Sequence, residues 1–323
     1  MKIVIVGTGS IGRRHIKNIL KIDPNVSFII LRADRRTDAL VSQLPAIVVA
    51  SVEEAMALKP SCAVIATPSA LHTRYILEFI KAGLAMYIEK PVVILREDIQ
   101  SIRCYINRYD YNATTLVGCN LRFLSSLQMV KKMIQDGVLG DVARASFQAG
   151  QWLPDWRPQQ DYQRSYSADP NRGGGVIWDL IHELDSVRYL LGDFDQVKAM
   201  ASSFQPLGIS SNAVAVLLLS KSEGGALVTV GLDYVARKPV RKYEFYGEKA
   251  SLIWDLQNGQ LQKQTARGVE MISDIPNDFD VEQTYIDAMR EFMNAVRLNS
   301  ATSQPLQEGL NSAALAIRAK EQV

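Results

Sequence analysis

Residues 2–12 read Lys-Ile-Val-Ile-Val-Gly-Thr-Gly-Ser-Ile-Gly, and this stretch decides the fold. Lys2–Val6 is a short, β-branched apolar run, typical of a central parallel strand buried on both faces. The glycines follow at once and precede a predicted helix over residues 11–21, which is the context of a dinucleotide-binding turn. In such a turn Gly7 allows the tight bend, Gly9 lets the backbone approach a pyrophosphate, and Gly12 lets the helix pack on the sheet. The predicted cofactor-binding residues here are Gly7, Thr8, Gly9, Ser10, Ile11 and Gly12.

Length and composition indicate a globular protein of two domains. The chain has 323 residues, of which 47% are hydrophobic and 22% charged, and is too long for one small core. Lysine plus arginine (36) nearly balances aspartate plus glutamate (34), which argues against a nucleic-acid or membrane-surface partner. We find no signal peptide and no apolar run long enough to span a membrane. The three cysteines have no metal-ligand spacing, so we expect thiols in a reducing cytoplasm and no metal site.

Strands and helices alternate through residues 1–120, which predicts a doubly wound parallel sheet, that is, a Rossmann domain. The second predicted strand, residues 26–31, ends in Arg32-Ala33-Asp34-Arg35-Arg36. About 20 residues beyond the last glycine an NAD-type fold usually has an acid, but Arg32 stands there and Asp34 follows two residues later. Arginines at this point would hold a 2′-phosphate, so Arg32, Asp34 and Arg35 favour NADP slightly over NAD. The alternative is a solvated basic loop.

Two further turns follow predicted strands of this half. Thr67-Pro68-Ser69 closes the strand at residues 61–66, and Glu89-Lys90-Pro91 closes the strand at residues 85–88. Ligands of open α/β sheets bind beyond the carboxyl ends of strands, which is where Lys90 lies. The alternative for Lys90 is an ordinary surface charge.

Residues 121–323 predict a second α/β domain with a large, mostly antiparallel open sheet. Strand-like runs occur at residues 142–148, 197–202, 213–220, 225–234, 242–247 and 250–255, and the chain closes with predicted helices at 280–298 and 308–323. A sheet covered by helices on one face leaves its other face to pair with another subunit. We therefore expect a homo-oligomer, a dimer or tetramer formed through this sheet.

The segment before the triple glycine is aromatic and polar, with Trp152, Trp156, Tyr162, Arg164 and Tyr166. Flat aromatic surfaces interleaved with arginines and hydroxyls suit a polar ring such as a sugar, and loops of this length are often functional. The alternative is a subunit contact. Residue type and loop position make four residues candidates for substrate contact: Arg122, Trp152, Tyr162 and Arg164.

Gly173-Gly174-Gly175 runs into a predicted helix that carries Asp179 and His182. Apolar residues from Ile177 to Leu191 follow helical spacing and define a buried stripe. Asp179 and His182 share one face and fall about 140–160° from the centre of that stripe. We therefore expect both side chains to point away from the core, either on a solvated face or in a functional site.

Taken in order, these motifs resemble the glucose–fructose oxidoreductase, inositol dehydrogenase and rhizopine-catabolism (Gfo/Idh/MocA) family over nearly the whole chain. The resemblance rests on residues 7–15, Thr67-Pro68-Ser69 with Leu71-His72, Glu89-Lys90-Pro91, residues 173–185 and residues 246–250. It implies hydride transfer between a nicotinamide cofactor and a ring hydroxyl in a sugar or cyclitol site. On the cofactor side it places Thr67, Pro68, Ser69, His72, Glu89 and Lys90. Residues 156–167 resemble a subgroup associated with bacterial surface-sugar pathways.

The same resemblance implies that Lys90, Asp179 and His182 contact the substrate and form the catalytic group. A histidine of near-neutral pKa suits the base that takes the hydroxyl proton, and Lys90 would favour the developing alkoxide. The family pattern has three residues between the aspartate and the histidine, whereas this chain has two. If the helix starts at the same place, His182 is rotated by about 100°. Asp185, three residues after His182, is then a rival for orienting its ring.

We therefore expect an NAD(P)-dependent oxidoreductase acting on a sugar, an amino or nucleotide sugar, or a cyclitol. One alternative is a dinucleotide-binding regulator without turnover, against which the presence of both Lys90 and His182 argues. Another is a biliverdin-reductase-like enzyme, which the arginine- and tyrosine-rich loop makes less suitable.

Overall fold

The structure is a computed structural model that describes residues 1–34, 36, 39, 41–156, 158 and 161–323. Arg35, a predicted cofactor contact, lies outside the described residues. The chain folds into two compact units, one of Met1–Cys119 with Glu282–Asn311 and the other of Asn120–Val281 with Ser312–Val323. Residues 282–311, which the sequence analysis placed with the second half, therefore pack in the first unit.

The first unit contains a parallel sheet. Its strands are β1 (Lys2–Val6), β2 (Ser27–Leu31), β3 (Ala46–Val49), β4 (Cys62–Ile65), β5 (Ala85–Ile88) and β6 (Thr115–Val117). Its helices in the first 119 residues are α1 (Ser10–Ile22), α2 (Val52–Ala57), α3 (His72–Lys81) and α4 (Arg96–Arg108). Among the described residues the strand order is β3-β2-β1-β4-β5-β6. From β1 the chain adds β2 and β3 on one side, and it then adds β4, β5 and β6 on the other side, so the switch point lies between β1 and β4. This confirms the doubly wound fold, whose ligands bind at that switch point.

The second unit contains a larger sheet. Its strands are β7 (Val142–Gly150), β8 (Gln196–Ser202), β9 (Val214–Ser220), β10 (Leu227–Asp233), β11 (Val240–Gly247), β12 (Ser251–Asp255), β13 (Gln260–Thr265) and β14 (Gly268–Ser273). In the described part of the chain their order is β14-β13-β12-β11-β7-β10-β9-β8. Only β7 and β10 pair in parallel among these eight strands, so the expected mostly antiparallel sheet is confirmed.

The remaining helices are α5 (Ser125–Gln135), α6 (Val176–Asp179), α7 (Ile181–Leu191), α8 (Val281–Leu298) and α9 (Leu306–Lys320). Within the described ranges, no helix combines the length and the apolar character that crossing a bilayer requires. The single helix expected after the triple glycine is instead two helices, because Leu180 leaves the helical region with φ −100° and ψ 32°. Asp179 and His182 are only 4% and 9% exposed, which excludes the alternative of a solvated helix face.

Two of the three glycines in the first turn are required by packing. Gly7 has a φ of +93°, and a Cβ there would lie 2.5 Å from the Ala66 carbonyl oxygen. A Cβ on Gly12 would lie 2.0 Å from the Gly7 carbonyl oxygen. A Cβ on Gly9 would meet no atom of the described residues within 4 Å, so on that side this glycine faces open space. The fold therefore needs Gly7 and Gly12 but not Gly9.

Gly12→Ala is expected to destabilise the first unit, because the new methyl group overlaps a backbone oxygen that cannot move away cheaply. A loss of about 1–3 kcal/mol in unfolding free energy is typical of such overpacking. Gly9→Ala is the matched control and should change stability by less than about 0.5 kcal/mol. Denaturant unfolding of both variants measures the difference, and equal stabilities would contradict this account of the turn.

Candidate active site

The carboxyl edge of the parallel sheet gathers most of the predicted cofactor residues. Arg32 follows β2 and donates hydrogen bonds to the Thr8 hydroxyl and, at 2.7 Å, to the Arg36 carbonyl oxygen. Asp34 is exposed and pairs with the Arg36 side chain at 3.4 Å. The arginine that occupies the usual acid position thus lies against the glycine turn, whereas the acid points to solvent.

Two buried histidines link the other turns of this edge. His15 of α1 contacts the Glu89 carboxylate at 2.6 Å, and the second oxygen of Glu89 accepts from the Lys90 amide at 3.3 Å. The His72 ring lies 2.9 Å from the Thr67 carbonyl oxygen and 2.9 Å from that of Pro91. Burial lowers the pKa of His72.

In the second unit Asp179 is the last residue of α6. It contacts Tyr234, the residue that follows β10. The Tyr234 hydroxyl donates to the Asp179 carboxylate at 2.7 Å. Burial and then the Asp179 charge raise the pKa of Tyr234 well above its usual value, so the phenol stays protonated as a donor. The Trp156 ring packs edge-on against Tyr234, with centroids 5.3 Å apart.

The residue next to His182 anchors the start of α7. Glu183 is fully buried and accepts from Arg241 Nε at 2.6 Å and from the Tyr243 hydroxyl at 3.0 Å, both on β11. Burial and then the charge of Glu183 raise the pKa of Tyr243. These bonds fix the helical turn that carries His182.

Asp185 has a different set of partners. Arg122 donates to both of its carboxylate oxygens, at 2.8 and 2.6 Å, and the Ser312 hydroxyl donates at 2.7 Å. Both carboxylate oxygens are therefore engaged by a buried guanidinium, which is the geometry of a bidentate ion pair. Arg122, expected as a substrate contact, is only 7% exposed in this pair.

The remaining substrate candidates lie on the loop that follows β7. The Arg237 guanidinium stacks 3.7 Å from the centroid of the Trp152 ring. Tyr162 and Arg164 form one short helical turn, and the Arg164 side chain is 89% exposed beside Asp161. None of these contacts by itself defines a ligand.

A pocket of about 200 Å³ lies beside Asp179 in the second unit, and we call it the Asp179 pocket. Its lining includes Gly150, Trp156, Asp179, Leu180, Arg241 and Gln257. Sequence reasoning missed Tyr234, Arg241 and Glu183, since they stand in ordinary strand and helix patterns. Trp156 belongs to the aromatic segment before the triple glycine, but it is not among the residues predicted from the sequence to contact the substrate.

Comparison with known proteins gives two domain matches and several relatives. Residues 1–110 match the oxidoreductase family with an NAD-binding Rossmann fold, and residues 127–253 match the GFO/IDH/MocA C-terminal domain. An uncharacterized oxidoreductase of Streptococcus pneumoniae is 26% identical over 62% of this chain and 53% of its own length. Inositol 2-dehydrogenase of Rhizobium meliloti is 27% identical over 69% of this chain and 60% of its own length. The match thus spans little more than half of either relative.

Among solved structures, levoglucosan dehydrogenase in complex with NADH and levoglucosan matches with a TM-score of 0.85. The match covers 100% of this chain and 96% of that chain at 18% identity, which shows a shared fold. With both domains matched in order along the sequence, the chain belongs to the GFO/IDH/MocA family of oxidoreductases.

Proposed function

We propose that the protein transfers a hydride between a nicotinamide cofactor and a ring hydroxyl or ketone of a sugar, an amino or nucleotide sugar, or a cyclitol. The observation that carries this proposal is the buried Asp179 carboxylate, held by Tyr234 beside a ring-sized pocket. The first unit fits a dinucleotide because Gly9 leaves open space at the end of β1. The relatives named inositol 2-dehydrogenase and levoglucosan dehydrogenase act on a cyclitol and a sugar, which supports the substrate class.

In this proposal the chain's own residues handle the proton and the charge. A bound nicotinamide supplies the hydride acceptor or donor. His182 takes the hydroxyl proton as the carbon is oxidised, and Lys90 stabilises the alkoxide that develops. Asp179 accepts a hydrogen bond from a substrate hydroxyl and is kept in place by Tyr234. Trp152, Tyr162 and Arg164 stay candidates for substrate contact, whereas Arg122 is better assigned to holding Asp185.

The proposal also covers the cellular compartment and the oligomeric state. An exposed thiol, Cys104, suits a reducing cytoplasm. The outer face of the second-unit sheet carries the exposed apolar side chains Met200, Val216, Leu218 and Leu227, whose exposures run from 45 to 80%. Met200 pairs with Val216 across β8 and β9, so these side chains share one face. Such a patch favours a homo-oligomer formed through this sheet.

Lys90→Ala and His182→Ala are each expected to lower kcat by about 10²–10⁴-fold, because each removes a group that acts on the developing charge or proton. Cofactor affinity should fall far less than kcat in both variants. Lys81→Ala, at an exposed lysine of α3, is the matched control. Nicotinamide absorbance across a panel of sugars and cyclitols measures turnover. Near-normal turnover in both variants would refute the catalytic assignment.

NADP is expected to have a lower KM than NAD, since Arg32 stands against the glycine turn where a 2′-phosphate would need a cation. Arg32→Ala should reduce that preference, whereas Gly9→Ala should weaken both cofactors alike. Initial rates with each cofactor measure the ratio. A strong preference for NAD in the unchanged protein would contradict the NADP assignment.

Light scattering is expected to give the mass of a dimer or tetramer. The double variant Met200→Asp with Leu218→Lys should give a monomer, because charges at the centre of an apolar interface are costly to bury. Leu95→Asp changes an apolar residue of the first unit that is 55% exposed, between Leu218 and Met200, and should leave the mass unchanged. A monomeric unchanged protein would rule out this assembly.

A further inference from the structure

Helix α1 places a polar ring in the core of the first unit. His15 is fully buried beside Ile16 and Ile19, and its Nε2 atom lies 2.6 Å from Glu89 Oε1. In a contact between an imidazole and a carboxylate, the ring N–H donates and the carboxylate accepts. The other ring nitrogen, Nδ1, is buried with no partner among the described residues. In the part of the chain that the structure describes, the polar contact of His15 is therefore the one with Glu89.

The Glu89 carboxylate connects that ring to the proposed catalytic lysine. Glu89 is itself buried, and its second oxygen, Oε2, accepts from the Lys90 amide at 3.3 Å. One carboxylate thus bonds a ring of α1 with one oxygen and the backbone of Lys90 with the other. Because the backbone of Lys90 sets where its ammonium group can reach, a small shift of the carboxylate changes the geometry of the reaction.

Close packing after β6 also restricts the carboxylate. A Cβ on Gly118 would lie 3.0 Å from Glu89 Oε1 and 3.2 Å from the Tyr87 hydroxyl oxygen. The Tyr87 ring in turn packs edge-on against the His15 ring, with centroids 4.8 Å apart. Glu89 Oε1 is therefore held by a donor on α1 and by the backbone at Gly118.

Packing alone does not require a histidine at this position of α1. Burying an imidazole and a carboxylate costs free energy, which the hydrogen bond between them only offsets. A leucine at position 15 would cover the same face of the helix without burying a polar group. What a leucine could not do is hold the carboxylate that accepts from Lys90.

We infer that His15 is a positioning residue for hydride transfer: its Nε2–H orients the Glu89 carboxylate, and the carboxylate orients the backbone of Lys90. The ring is fully buried, so it acts through Glu89 and not on the substrate. The inference rests on the proposed function for the role of Lys90, and it adds a residue of α1 to that function.

A matched pair of variants tests the donor. His15→Leu removes it and should lower kcat by about ten- to hundredfold, with the KM for the cofactor changed by less than about threefold. His15→Gln supplies an amide N–H of similar reach and should keep kcat within about threefold of the unchanged protein. A kcat that His15→Leu leaves unchanged overturns the inference, as does an equal loss in the two variants.

Ile19→Ala is the control for stability. Ile19 is fully buried on the same helix and has no polar group to lose. The cavity left by its truncation should lower the melting temperature at least as much as His15→Leu does, and kcat of the folded protein should stay within about twofold. A loss of kcat equal to that of His15→Leu would show that His15 is only structural and would overturn the inference.

A double variant tests whether His15 acts through Glu89. Glu89→Met removes the carboxylate at similar length and should lower kcat about as much as His15→Leu. Because both changes act on one contact, adding His15→Leu to Glu89→Met should lower kcat by less than about threefold more. Full multiplication of the two losses would overturn the inference. If His15→Leu does not fold, Gly118→Ala displaces the same carboxylate and leaves α1 unchanged, and an undiminished kcat in this variant overturns the inference.

Hydrogen exchange at the Lys90 amide tests the link without turnover. Relative to the amides of β5, His15→Leu should speed this exchange at least about tenfold, whereas His15→Gln and Ile19→Ala should change it less than about threefold. This pattern in a protein that turns over no sugar or cyclitol would refute the proposed function and keep the positioning role. Turnover with unchanged exchange and kcat in His15→Leu would keep the proposed function and refute the positioning role.

Discussion

Two buried imidazole rings hold the carboxyl edge of the parallel sheet together. His15 reaches from α1 to Glu89 after β5, and His72 reaches from α3 to the turns after β4 and β5. Through them the residues on both sides of Lys90 are tied to α1, the helix after the glycine turn, and to α3. Removing one partner of such a buried contact commonly costs several kcal/mol, because the other is left without its hydrogen bond. The position of Lys90 therefore depends on contacts along the whole carboxyl edge of the parallel sheet.

In the second unit, buried hydrogen bonds and ion pairs hold helix α7 in a similar way. Glu183 ties the first turn of α7 to β11, and Asp185 ties the next turn to Arg122. His182 directly precedes Glu183 on the same helix, so the two anchored residues fix the part of the helix that carries it. Buried ion pairs add little net stability, but losing one partner is costly, so they hold one arrangement of the chain. Here the arrangement that they hold is the position of α7 against the second-unit sheet.

The sequence predicts those features of the fold that depend on residues close together in the chain. The strand–glycine–helix pattern at residue 7 predicts the parallel sheet, because few other folds need Gly7 and Gly12 so close together. The break at Leu180 could not be predicted, since leucine favours helices and only tertiary packing forces its φ and ψ away. The β13–β14 hairpin was missed because it lacks an alternating apolar face. Arg241 and Tyr234 were missed because their roles arise from long-range pairing, which periodicity does not reveal.

The openness around Gly9 has a meaning for how the family diverges. Packing alone preserves Gly7 and Gly12 in any descendant that keeps the fold, whatever it binds. At Gly9 no atom of the residues that the structure describes would contact a side chain, so an approaching ligand is what would keep the position without one. In a relative that has abandoned nucleotides, drift should therefore reach the middle glycine first, while the outer two persist as a record of the ancestral architecture.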